Sequence, residues 1–167
     1  RYAGDDARRF GRDEGLPSDD VRSVHVDSLG RVWAGTAAGA ARLDAATGLF
    51  TPVTGSRAAI DAIQEDRGGA VYAATAAGVV RIEGLAAGPW APAKDLPRPR
   101  ALAIDARGRL WIGTDRGLAR STPEGIVRVI APAADGGAPS GAVRALALAD
   151  GDLWVGHDAG LTRLVGD

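Results

Sequence analysis

No cysteine occurs among the 167 residues, which excludes disulfides, thiolate nucleophiles and cysteine-based zinc sites. Either redox compartment suits such a chain. Charge of one sign is also lacking: 20 basic residues face 21 acidic ones, for a net charge of −1. A nucleic-acid footprint needs a basic patch or stripe, so no nucleic-acid partner is expected. The same balance gives no footing on an anionic membrane surface. No apolar run approaches the ~18 residues of a membrane-spanning helix, so no direct membrane insertion is expected of this segment. Lys94 is the only lysine, and alanine and glycine abound, a bias we read as codon usage in a GC-rich genome. The chain begins at Arg1 without methionine and reads as a processed or partial product. Histidine is nearly absent, with His25 and His157 alone. There is no G-x-S-x-G elbow, and no glycine loop lies between a strand and a helix to cradle a nucleotide. No cofactor, no metal and no catalytic residue is expected.

What the chain does have is an internal repeat, the first thing to seek in any sequence. VRSVHVDSLGRVWAGTAAGAARLD starts at Val21, IDAIQEDRGGAVYAATAAGVVRIE at Ile60, PRALAIDARGRLWIGTDRGLARST at Pro99 and VRALALADGDLWVGHDAGLTRLVG at Val143. The aromatics Trp33, Tyr72, Trp111 and Trp154 align. So do Gly39, Gly78, Gly117 and Gly160, and Arg42, Arg81, Arg120 and Arg163.

Each unit of about 40 residues predicts four short antiparallel strands, the blade of a β-propeller. In the first unit these are Val21 to Val26, Arg31 to Thr36, Ala40 to Asp44 and Leu49 to Val53. Asp27-Ser28-Leu29-Gly30, Ala37-Ala38-Gly39 and Ala46-Thr47-Gly48 turn the chain between them. No long helical period supplies the crossovers that a parallel sheet needs. The fold class is therefore all-β: a propeller of four-stranded antiparallel blades. Units fall at 15–54, 55–93, 94–133 and 134–167, and residues 1–14 read as the outer strand of a preceding unit. By register the last unit has three inner strands and no outer one. The N-terminal strand near Arg8 to Phe10 is expected to complete it, within one chain as a closed four-bladed ring or between two chains as a homodimer with a larger ring.

Gly15-Leu16-Pro17-Ser18, then Asp27 and Gly30, then Val32-Trp33-Ala34-Gly35-Thr36 form one motif. Asp105, Gly108, Leu110-Trp111-Ile112-Gly113-Thr114 and Gly117-Leu118 repeat it. This pattern resembles the two-component regulator propeller repeat. Tyr72 and Ala74 depart from it, as do His157 in place of threonine and Ala149 in place of the turn aspartate. The resemblance implies a periplasmic or extracellular location and a role in bacterial signal transduction, as a sensor module ahead of a membrane segment and an output domain.

The repeated tryptophans read as blade-to-blade packing, and Trp90 as a rim residue covering a blade edge. The repeated arginines read as solvent-side strand residues or as partners of carboxylates between blades. Asp27, Asp66 and Asp105 read as turn caps. Function in a propeller lives in loops at one face. The residues singled out for a ligand are therefore Asp115, Arg116, His157 and Asp158, by position alone. Three functions stay open: a ligand-sensing segment, a protein–protein scaffold, and a propeller lyase or lactone hydrolase. The ligand or protein partner is unknown.

Overall fold

Positive-φ glycines decide where each strand turns back. Gly30 (φ 75°), Gly69 (φ 81°) and Gly108 (φ 75°) close the first hairpin of their units, conformations that β-branched residues resist. The computed structural model describes residues 7–90, 96–122, 127–130 and 141–165. The first blade contains β1 (Val21–Val26), β2 (Val32–Thr36), β3 (Gly39–Asp44) and β4 (Leu49–Pro52). The second contains β5 (Ile60–Glu65), β6 (Val71–Thr75), β7 (Gly78–Glu83) and β8 (Ala86–Pro89). The third contains β9 (Pro99–Ile104), β10 (Leu110–Thr114), β11 (Gly117–Ser121) and β12 (Val127–Ile130). The fourth contains β13 (Val143–Ala149), β14 (Asp152–His157) and β15 (Gly160–Leu164). Each sheet is an antiparallel meander in chain order, with four strands in the first three and three in the last. The fourth hairpin is one residue shorter and has no turn aspartate. Asp150 (φ 53°) and Gly151 (φ 85°) close it instead, the positive-φ pair of a type I′ turn.

The inner strands pack in succession, β1 on β5, β5 on β9 and β9 on β13. Trp33 and Ala40 of the first blade are buried with Ile60, Ile63, Val71 and Ala73 of the second. Trp111 and Leu118 of the third are buried with Val143, Leu153 and Val155 of the fourth. Tyr72 leaves more room than tryptophan would, and Trp90 fills it edge-on, ring centroids 5.4 Å apart.

Of the N-terminal stretch expected to be an outer strand, residues 7–14 are described. Residues 7–11 form no strand, and Arg12–Glu14 makes a 3-10 turn. Residues 1–6 lie outside the described residues. Phe10 instead packs edge-on against Phe50, centroids 5.5 Å apart, and Arg8 donates to the Gly48 carbonyl at 3.3 Å. The physical reason lies in the blade order: among the described residues no fourth blade stands beside the first, so these residues have no sheet edge to join. Among the described residues β13 has no substantial packing on β1, so of the two closures expected the one within a single chain is not formed by them.

His25 marks a local conflict in the fold. It shares its strand face with Ser23, whose hydroxyl donates to the Ile60 carbonyl of the second blade at 3.4 Å. The His25 Nε2 is buried without a hydrogen-bond partner among the described residues. An unsatisfied buried nitrogen costs free energy that an apolar side chain avoids. His25→Leu should therefore stabilise the chain by about 1 kcal/mol, a rise of roughly 2–4 °C in a thermal melt.

Candidate functional site

Each inner strand bulges at its second residue. The register skips between Val21 and Ser23, Ile60 and Ala62, and Val143 and Ala145, and it shifts at the same place in β9. The residues thus displaced are Arg22, Asp61, Arg100 and Arg144. A bulge frees its residue from the ladder and re-aims the side chain. All four displaced residues are charged, and they stand at the end of the blades where the β2–β3, β6–β7, β10–β11 and β14–β15 turns lie.

The charges pair both between and within blades. Arg22 donates to Asp61 of the second blade at 3.1 Å and lies 3.3 Å from Asp20. Arg100 pairs with Asp115, and Arg144 donates to Asp158 at 2.8 Å. The Arg100 hydrogen bond holds the Asp115 carboxyl below its ordinary range, helped by the charges of Arg98 and Arg144. Arg144 does the same for Asp158, with Arg100 adding to it. Asp115, Asp158 and the four bulge residues therefore form one row of alternating charge along the rim. Arg116 is exposed beside Asp115, and its backbone N–H donates to Thr114 Oγ1 at 3.1 Å.

His157 takes the turn position that threonine holds in the other blades. Thr36, Thr75 and Thr114 each accept a hydrogen bond from the backbone N–H two residues on, at 3.1–3.2 Å. His157 Nδ1 accepts from the Ala159 N–H in the same way, at 3.3 Å. With Nδ1 as acceptor, Nε2–H donates to Thr162 Oγ1 at 2.9 Å. The imidazole thus substitutes for the threonine of the turn. No group of three histidine, aspartate or glutamate side chains able to hold a metal occurs among the described residues.

The repeated aspartates form cages beneath the tryptophans. Asp27 accepts from the Leu29 and Arg31 N–H groups at 3.1 and 2.8 Å, from Arg31 Nε at 2.6 Å and from the Trp33 indole at 2.8 Å. Asp105 repeats this with Arg107, Arg109 and Trp111. The fourth blade recovers a carboxylate at Asp152, which accepts from Arg163 Nε at 2.5 Å. Among the repeated arginines, Arg42, Arg120 and Arg163 lie over the rings of Trp33, Trp111 and Trp154, at 5.5, 5.2 and 5.6 Å. Arg81, beside the smaller Tyr72, pairs with Glu83 at 3.3 Å instead. These groups are engaged in contacts within the blades. Of the charges in the rim row, sequence reasoning singled out Asp115 and Asp158 and passed over Arg22, Asp61, Arg100 and Arg144. The signal was the second residue of each inner strand, charged in all four units.

The model of the two-component regulator propeller matches residues 15–38 and 96–116. A search of curated proteins finds no significant match. Among solved structures, the chain resembles the extracellular domains of two putative hybrid two-component systems from B. thetaiotaomicron. One aligns with TM-score 0.78 and 20% identity over 92% of this chain and 22% of that one. The other aligns with TM-score 0.76 and 19% identity over 96% and 24%. Virginiamycin B lyase from Staphylococcus aureus, an enzyme, aligns with TM-score 0.63 and 16% identity over 87% and 55%. The chain thus spans about a quarter or less of the length of the two extracellular domains. No helix among the described residues is long and apolar enough to cross a membrane. Four blade-like antiparallel sheets, with the first and third matching the two-component regulator propeller model in part, identify a β-propeller segment.

Proposed function

We propose that this segment is a non-catalytic, ligand-binding part of an extracytoplasmic bacterial signalling protein, with its ligand taken at the charged rim. The observation that carries the reading is the row of bulges, which turns Arg22, Asp61, Arg100 and Arg144 out of their ladders in every blade. A strand gains nothing in ladder energy from a bulge, and bulges recur where a side chain must be re-aimed. Guanidinium and carboxylate groups side by side suit a polar ligand with both donors and acceptors, or one carrying a carboxylate. The matched repeats and the likeness to extracellular sensor domains support the signalling context. A periplasmic or extracellular location belongs to the same proposal.

The test is a thermal-shift screen of sugars, amino acids and dicarboxylates, followed by calorimetry on any hit. Arg100→Gln with Arg144→Gln should weaken a genuine rim ligand by about tenfold or more, the worth of one charged hydrogen bond. Melting should hardly move, because exposed ion pairs contribute under about 1 kcal/mol. Unchanged affinity in the double variant would place the ligand elsewhere.

A further inference from the structure

One residue of the third blade holds a backbone conformation that its side chain resists. Among the described residues, the non-glycine positions with positive φ are Asp150 and Arg98. Asp150 sits in the tight turn that demands it. Arg98 (φ 41°) lies in no hairpin turn and directly precedes Pro99, where an extended backbone is the rule. Its neighbours hold it there. Pro99 is fully buried and pairs with Thr114, and the Pro97 carbonyl accepts from the Asp115 N–H at 3.2 Å. In the first and fourth blades the matching N–H groups, of Ala37 and Asp158, bond the residue directly before the inner strand: Asp20 at 2.9 Å and Ala142 at 3.1 Å. In the third blade that residue is Arg98, and the bond passes it over for Pro97. Strain of this kind persists where the surroundings over-determine it, and it clusters at binding sites.

The distortion sets one more exposed guanidinium on the rim. At the junction of the first and second blades a single cation serves two carboxylates, since Arg22 reaches both Asp20 and Asp61. At the junction of the third and fourth blades the balance reverses. Arg100 takes Asp115 and Arg144 takes Asp158, so both carboxylates are already matched. Arg98 and Arg116 are then in excess. Both are exposed, and among the described residues neither guanidinium has a hydrogen bond or an ion pair. They belong to one place: the pairing of Pro99 with Thr114 sets Arg98 opposite the turn that carries Asp115 and Arg116. The charge of Arg98 reaches Asp115, where it adds to the Arg100 hydrogen bond that lowers that carboxyl. Like charges gathered in this way raise the local potential and draw an anion.

We infer that this junction takes a dicarboxylate, one carboxylate on the Arg98 guanidinium and the other on that of Arg116. Each guanidinium is a planar fork that matches one carboxylate through two parallel hydrogen bonds. The two forks rise from different segments, the loop entering β9 and the β10–β11 turn, which suits two linked carboxylates better than one compact anion. Asp115 and Asp158 stay with Arg100 and Arg144, so the ligand displaces no existing pair. Removing Arg100 would leave Asp115 uncompensated beside the ligand. The assignment rests on the reading of the rim as the ligand site, and narrows it from polar ligands in general to dicarboxylates.

Calorimetric titration of the whole chain with malonate, succinate and glutarate tests this, with acetate and inorganic phosphate as comparisons. At least one dicarboxylate should bind, about tenfold or more tighter than acetate. Arg98→Gly and Arg116→Gln should each weaken it by about tenfold or more, as the loss of a charged hydrogen bond does. Glycine adopts φ 41° without strain, so Arg98→Gly should keep or raise the melting temperature, which separates lost binding from a lost fold. The assignment is overturned if no dicarboxylate binds up to about 10 mM, if phosphate binds more tightly than every dicarboxylate, or if either variant binds as well as the unmodified chain. The rim reading fails separately. A neutral ligand weakened by Arg100→Gln with Arg144→Gln, yet indifferent to Arg98→Gly, keeps the rim and sinks the dicarboxylate. A dicarboxylate indifferent to every one of these changes sinks both.

Discussion

Asp27→Ala should cost roughly 3–5 kcal/mol, the range for breaking a buried, hydrogen-bonded charge pair. The carboxylate is 5% exposed and accepts four hydrogen bonds, one from the indole of the most buried tryptophan. Alanine leaves the Trp33 N–H unsatisfied between two blades, where each orphaned donor costs about 1–3 kcal/mol. Thermal unfolding should fall by roughly 10 °C for a chain of this size. Asp66→Ala is the internal control. Its turn has the same backbone bonds, but the long-range donor is the Tyr72 hydroxyl at 3.2 Å, on a ring only partly buried. That loss should be about 1–2 kcal/mol.

The same cage sets an acid limit. Burial alone would raise the Asp27 carboxyl; the Trp33 and Arg31 donors outweigh it and lower the group from 3.8 to about 2. A folded value below the unfolded one contributes stability that is complete above the unfolded value. It is lost as pH falls from about 4 through 2, and here amounts to about 2 kcal/mol. Asp105 is shifted in the same direction: burial opposes, and the Trp111 and Arg109 donors prevail. Urea midpoints measured between pH 5 and pH 2 should fall steeply for the unmodified chain. The slope should be shallower for Asp27→Ala, which has no such group to protonate.

These cages also show what the sequence could and could not tell. The D-x-x-G turns and W-x-G strands named the blade, its strand order and its hairpins, because each is a local rule acting within about ten residues. The role of the aspartate beyond the turn was hidden, since its indole and guanidinium donors are met only when the hairpin closes. The turn role of His157 was hidden for a related reason. An imidazole in place of threonine looked like chemistry, yet its Nδ1 makes the bond that the threonine hydroxyl makes in the other blades. The rim was legible in principle from charge at the second position of every inner strand. What no single unit reveals is the bulge that turns those residues outward.

Gly113→Ala and Gly156→Ala should part company, although the two residues occupy one position of the repeat. A methyl at Gly113 meets Val143 at 2.5 and 3.1 Å and Ala101 at 3.2 Å, inside packing that cannot yield without prying the third blade from the fourth. Overpacking of that kind costs about 1–3 kcal/mol. Gly35→Ala should behave alike, since its methyl would press on Ile60 and on the Ser23 hydroxyl. At Gly156 the methyl meets only Ala145 at 3.5 Å, an ordinary contact. There the change removes freedom from the unfolded chain and should stabilise a single chain by about 0.4–1 kcal/mol. Denaturant unfolding at low protein concentration gives the sign for each variant. Equal losses at Gly113 and Gly156 would mean that the glycine serves its own hairpin. Opposite signs would mean that its work is to receive the neighbouring blade, and that at Gly156 this work is still undone in the lone chain.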